Sequence, residues 1–190
     1  MKTKSLSLTS QKKGQLSQKM GQTYLGLGQA LVLVEYFFSH PLTRLSVREL
    51  SVKLKMSKST VQRGCQNLSK IGLLSPEYTW LDSAYSRRIK SYHFILKMEK
   101  SGLFDYLEQE LGASVIVIFG SVAKGEYDAQ SDVDVFVECA RNRKLDLSSY
   151  EKQIGLHIEL FTAVSFQSVA QNLVPAIVNG VKVRGYLSLS

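Results

Sequence analysis

The sequence is poor in the residues that cross-link or stiffen a chain: two cysteines, three prolines and one tryptophan among 190 residues. Cys65 and Cys139 lie far apart in different expected elements, which excludes a disulfide framework and offers no zinc-type spacing. A reducing cytoplasm fits them. Long apolar runs are missing too. The longest candidate, Ala30 to Phe38, is interrupted by Glu35 and falls far short of the ~20 residues that span a bilayer. No signal-type apolar block follows the basic start, so neither a membrane role nor secretion is expected. Acidic residues are scarce in the first hundred positions, which hold 5 Asp+Glu against 17 Lys+Arg, whereas residues 101–190 hold 11 against 7. That asymmetry gives the first half either a polyanion partner or a merely solvated basic surface, and leaves the carboxylates clustered in the second. Hydrophobic residues at 44% suffice for a core. There is no internal repeat.

Apolar periodicity and capping signals organise what is present. Residues 1–22, rich in Lys, Ser, Gln and Thr, read as a flexible basic tail. Leu27, Ala30, Leu31, Leu33, Val34, Phe37 and Phe38 have helical spacing, and Pro41 ends that helix. Ser46 with Glu49 forms a capping box for a short helix from about Val47 to Leu54. After a turn at Lys55-Met56, Ser57 caps a third helix, Lys58 to about Ile71, with Val61, Cys65, Leu68 and Ile71 on one face and Gly72 as its stop. Residues 73–96, with Tyr78, Trp80, Tyr92, Phe94 and Ile95, favour strands around a polar hairpin tip at 82–88. A linker helix over 98–112 carries Leu103, Phe104, Leu107 and Leu111. Three strands follow, Val115–Phe119, Asp132–Glu138 and His157–Thr162, then a helix from Ser165 to Asn179.

Three helices with a short turn between the second and third, then a basic hairpin, resemble the winged helix-turn-helix family over roughly residues 24–96. On the third helix, Lys58, Ser59, Gln62, Arg63 and Gln66 lie opposite the apolar face. Such side chains donate to and accept from base edges and neutralise phosphates. Arg87, Arg88 and Lys90 at the hairpin tip complete the expected DNA surface. Winged helices also serve as protein-interaction modules, and an ordinary solvated helix face is the plainer alternative. Cys65 reads as a small core residue.

The stretch from Phe119 to Val137 carries the chemistry. A strand ends in Gly120-Ser121, a small-residue turn follows, and ten residues after Ser121 comes Asp132-Val133-Asp134 at the start of another strand. Alternate side chains on a strand share a face, so Asp132 and Asp134 point the same way. Paired carboxylates repel unless a hard cation lies between them. A Gly-Ser turn lets backbone N–H groups and a hydroxyl approach phosphate oxygens. Metal ligands beside a phosphate cradle suit phosphoryl or nucleotidyl transfer.

This pattern resembles the DNA polymerase beta-like nucleotidyltransferase superfamily, and within it the minimal nucleotidyltransferase branch, over about residues 105–187. The resemblance implies Gly120, Ser121, Lys124 and Ser131 as nucleotide-binding positions and Asp132 and Asp134 as catalytic metal ligands. Lys124 stands where Arg is more usual. The third carboxylate of the family, implied as a catalytic and metal-binding position, falls on Glu159. Longer by one methylene than the usual Asp, it either reaches the shared metal, reaches it poorly or serves another purpose, which bears on turnover more than on nucleotide binding. His157 lies two residues before it on the same strand face. The implied cofactor is Mg²⁺ or Mn²⁺, the implied substrate an NTP such as ATP, and the implied acceptor a protein hydroxyl. Some relatives are antitoxins that modify a HEPN-type toxin.

The expected fold class is therefore α+β. It places a tail over 1–22, a winged helix-turn-helix over 23–97, a linker helix over 98–112, and a small mixed-sheet nucleotidyltransferase domain over 113–190. Two functional readings follow. One is a metal-dependent nucleotidyltransferase with a DNA-binding winged helix, binding double-stranded DNA, an NTP and a partner protein, and forming a homodimer if it reads paired half-sites. The other is a nucleotide-sensing transcription regulator whose transferase domain turns over weakly or not at all.

Overall fold

A computed structural model describes residues 29–141 and 143–188. The expected tail over 1–22 lies outside the described residues. The chain divides into two compact units, one reaching Trp80 without residues 38–40, the other comprising those three residues and the chain from Leu81 onward.

Helix α1 occupies residues 29–39, and its portion up to Phe37, in the first unit, buries Leu33, Val34, Tyr36 and Phe37. Helix α2 (Val47–Lys53) opens with the expected capping box: Ser46 Oγ accepts from Glu49 N–H while the Glu49 carboxylate accepts from Ser46 N–H at 2.8 Å. Helix α3 (Lys58–Lys70) is capped by Ser57, whose Oγ accepts from Thr60 N–H at 3.1 Å. Val61, Cys65 and Leu68 are buried on it, whereas Ile71, expected on that face, is the C-cap and is exposed. Gly64 sits against the Leu33 side chain, which would have to shift to admit a Cβ. Residues 74–80 close a small loop through an isolated bridge between Leu74 and Trp80.

The strands and hairpin expected beyond that point are not formed. Residues 84–101 are instead helix α4 (Ala84–Ser101), and the expected boundary after residue 97 falls inside it. The reason is local. Ser83 and Ser86 form a reciprocal cap, and Ser86, Lys90, Ser91, Phe94, Ile95 and Met98 make a buried stripe at helical spacing. Polar residues at the start of that stripe disguise it as a loop, and packing overrides the β preference of Tyr92, Phe94 and Ile95. Gly102, at φ +80°, breaks the chain into helix α5 (Leu103–Leu111).

Strands β1 (Ala113–Phe119), β2 (Val133–Cys139), β3 (Ile158–Ala163) and β4 (Val181–Arg184) form one mixed sheet in the order β3-β2-β1-β4. β1 runs antiparallel to β2 and β4, and β2 parallel to β3. The small-residue turn after β1 is a short helix, α6 (Gly120–Lys124). Helix α7 (Ser148–Ile154), not anticipated from the sequence, precedes β3. The expected closing helix shrinks to a 3₁₀ turn at Phe166–Ser168 and helix α8 (Val174–Val178). One sheet face packs Val115, Val117, Phe119 and Phe136 on Phe166, Val169 and Ile177. No helix among the described residues is long and apolar enough to cross a membrane.

Candidate active site

The site is built where β1 ends. Five consecutive buried residues, Val115 to Phe119, carry that strand through the core, and Gly120 then turns it at φ +67°. The register aligns Phe119 with Asp134 on β2 and Asp134 with Glu159 on β3. Any Cβ at position 120 would run into the Asp134 carboxylate, so glycine is required both by its backbone and by its neighbour. Asp132 and Asp134 flank the fully buried Val133 and share the sheet face of Phe136. In the parallel register Glu159 and Phe161 fall on that face as well. The aromatic residues Phe119 and Phe161, with ring centroids 5.3 Å apart, lie beside the carboxylates.

These surroundings set the electrostatics. Burial, then the charge of Glu159, then that of Asp132, push the Asp134 carboxyl above the ordinary aspartate range. Asp134 is half-buried, while Asp132 and Glu159 are exposed. A group destabilised by two like charges is a group that a cation would relieve. Among the described residues no three His, Cys, Asp or Glu side chains converge as a ready ligand set. Mg²⁺ usually binds through one or two carboxylates and substrate phosphates rather than in an all-protein cage. The donors present, Asp132 and Asp134 with Glu159 alongside, suit such an ion.

The remaining sequence-derived positions divide. Ser121 is half-buried on α6 and Lys124 is exposed at its end. The Ser131 hydroxyl accepts from Asp128 N–H at 2.9 Å and donates to Asp128 Oδ1 at 3.2 Å, so it shapes the turn that leads into Asp132. Lys58, Ser59, Gln62, Arg63 and Gln66 are all exposed on α3. The basic trio expected at a hairpin tip lies instead on α4. There Lys90 is 1% exposed, which removes it from any DNA surface. Arg87 pairs with Asp82 and with Glu126 at 2.7 Å. Arg88 is exposed.

Two clefts open in this second unit. One, of about 440 Å³, is lined by Asp82, Ser83, Arg87, Arg88, Lys124 and Asn179. The other, of about 430 Å³, adjoins Ser131, Asp132, Glu151 and His157, where His157 Nδ1 lies 2.6 Å from Glu151 Oε1. Sequence reasoning gave no role to Asp82 or Glu151, which line these clefts, because neither belongs to the Gly-Ser or Asp-x-Asp signal.

β1 running into Gly120-Ser121, Asp132 and Asp134 on the neighbouring strand segment, and Glu159 on the next strand form the arrangement expected of a nucleotidyltransferase. The comparisons agree. The family described as nucleotidyltransferase domain matches residues 100–177. A Methanocaldococcus jannaschii protein with the provisional name protein adenylyltransferase is 33% identical over 69 residues, covering 33% of this chain and 69% of the relative. The chain belongs to the nucleotidyltransferase family. No solved structure matches it.

Proposed function

We propose that the protein transfers a nucleoside monophosphate from an NTP, ATP above all, to a hydroxyl on a partner protein, with a divalent metal, and that its first unit binds DNA. The observation that carries the transfer reading is the alignment of Asp134 with Glu159 on one side and with the end of β1 on the other. The name of the M. jannaschii relative supports a protein acceptor.

In the reaction, a bond forms between the acceptor oxygen and the α-phosphorus, and the bond from that phosphorus to the pyrophosphate oxygen breaks. Gly120 lets the backbone approach the phosphates, and Ser121 offers a hydroxyl to them. Lys124, exposed at the end of α6, would supply a positive charge for the departing pyrophosphate. Glu159 takes the proton from the acceptor hydroxyl as the new bond forms. Asp132 and Asp134 would hold Mg²⁺ or Mn²⁺, which when bound neutralises charge on the phosphates and on the leaving pyrophosphate. In the first unit, the exposed Lys58, Ser59, Gln62, Arg63 and Gln66 on α3 form the DNA-facing row of a helix-turn-helix, with α2 as its support. A HEPN-type partner protein and a homodimer on paired half-sites belong to the same reading.

The test incubates the purified protein with Mg²⁺ and α-labelled ATP, beside lysate or a co-expressed neighbour. Label on an acceptor that disappears in Asp132→Asn/Asp134→Asn establishes the transferase and identifies its target. Magnesium-dependent ATP binding without any labelled acceptor supports the second reading, a nucleotide-sensing DNA regulator. The exposed Glu159 in the place of an aspartate favours that reading.

A further inference from the structure

The geometry points to Lys90 as a positioning residue of the transfer site, one that fixes the segment carrying the Asp-x-Asp pair by gripping it from helix α4. The inference rests on the transfer reading for its consequence in catalysis, though not for its structural basis.

Lys90 is the one charged side chain that is buried among the described residues. Taking an ammonium out of water costs several kcal/mol unless it is well partnered, and an apolar side chain of equal volume would fill the space at no such cost. What an ammonium adds is direction. Lys90 Nζ donates to the Tyr127 carbonyl and lies 4.4 Å from the centre of the Tyr127 ring. That ring is itself held 4.9 Å from Phe94, one α4 turn on. Asp82, before α4, and Asp128, in the gripped segment, are the acidic groups that face the ammonium.

From Tyr127 the constraint passes directly to the site. Asp128 Oδ1 accepts from Gln130 N–H at 2.9 Å and from the Ser131 hydroxyl, closing a rigid turn that ends one residue before Asp132. Val133 N–H then locks onto the His157 carbonyl at 2.8 Å. Further contacts tie the same helix to the front of the segment. Ser91 Oγ donates to the Ala123 carbonyl at 2.9 Å, Arg87 reaches Glu126, and Gly125 packs on the Arg87 carbonyl so closely that no side chain fits. Helix α4 thus splints the whole connection between Gly-Ser and Asp-x-Asp, and Lys90 is its inner bolt. Misplacing a reacting group by about 1 Å, even through a change far from the chemistry, costs about 100-fold in rate.

The test compares wild type, Lys90→Met and Lys90→Gln, with Lys100→Met on the exposed side of α4 as control. Three quantities are read: amide hydrogen exchange over residues 125–134, Mn²⁺ affinity in the presence of ATP, and the kinetics of label transfer from ATP. Lys90→Met is expected to accelerate exchange in that segment alone, to weaken Mn²⁺ binding about 10-fold or more, and to lower kcat with KM for ATP within about 3-fold. Lys90→Gln, which keeps a donor toward the Tyr127 carbonyl, recovers part of each, and Lys100→Met matches wild type. Unchanged local exchange and Mn²⁺ affinity in Lys90→Met overturn the inference. So does exchange raised uniformly through the unit, which assigns Lys90 to general stability. If Lys90→Met does not fold, the same local or uniform pattern in Lys90→Gln decides. A wild-type protein that transfers no label sinks the transfer reading alone, because segment-specific exchange still decides the role of Lys90.

Discussion

Gly120 and Asp134 constrain each other. Gly120 occupies a left-handed backbone conformation and abuts the Asp134 carboxylate. Gly120→Ala therefore incurs about 1–2 kcal/mol of backbone cost and displaces the carboxylate. The expected outcome is a stability loss of that order in urea titration and transfer reduced about 100-fold. Asp134 makes a different prediction. Its carboxyl is raised by burial and by two neighbouring acids, so the folded chain holds that proton more tightly than the unfolded chain. The resulting stability is lost as pH rises through the range just above an ordinary aspartate. Near neutral pH without metal, Asp134→Asn should melt at or above the wild-type temperature, and should lose the rise in melting temperature that Mg²⁺ gives wild type. Melting curves with Mg²⁺ and with a chelator check both. At this scale strand alternation and a short spacing are legible in the sequence, and the structure brings Gly120 against Asp134. Nothing local signals that Asn179 shares a cleft with Lys124, because that proximity depends on the β1–β4 pairing.

Among the elements, α2 and α3 are legible from their caps, whereas α4 is not. The caps at Ser46 and Ser57 stand directly before apolar helical spacing, so sequence and structure agree. In α4 the buried stripe begins with Ser86, Lys90 and Ser91. Ser86 donates to the Leu81 and Ser83 carbonyls, whereas the burial of Lys90 and Ser91 is intelligible only once Tyr127 and Ala123 are in place to accept their hydrogen bonds. β4 is equally hidden, being four residues long, paired with β1 and tied to the helices by Arg184. That guanidinium makes a two-pronged contact with Glu99 at 2.7 and 3.0 Å and reaches Asp105 and Glu108, so one side chain anchors β4 to α4 and α5. Its partnership holds the Glu99 carboxyl below the usual range. Arg184→Met is expected to destabilise the chain by about 1–2 kcal/mol, the scale of a charge network. Arg184→Lys recovers only part, since an ammonium cannot match the planar two-pronged geometry. Chemical denaturation of the three proteins checks this.

At the scale of the whole molecule, charge divides along the chain, and each portion has its own measurable consequence. If the basic portion binds DNA through α3, log affinity falls linearly with log salt, and Lys58→Ala and Arg63→Ala each reduce the slope by about 1. Fluorescence anisotropy across a salt series measures it, and slopes equal to wild type would remove α3 from the interface. The second consequence is a pH dependence of folding with an unusual alkaline limb. Burial lowers the Lys90 ammonium from its ordinary 10.5 to about 8. Between those values the unfolded chain binds the proton and the folded chain does not, so stability rises with pH across that window. Two and a half pH units of such linkage amount to about 3 kcal/mol. The carboxyls of Asp82 and Glu99, lowered chiefly by hydrogen bonds from Arg87 and Arg184, act at the other end. Their contribution is present above the ordinary carboxylate range and lost as pH falls below it through their lowered folded values. Other lysines and tyrosines also titrate above pH 9, so the decisive quantity is the difference between wild type and Lys90→Met. That difference should shift in favour of wild type from about pH 8 upward and level off near 10.5. A difference flat across the window would mean that Lys90 keeps its proton in the folded chain, with Asp82, Asp128 and the Tyr127 carbonyl fully compensating its burial.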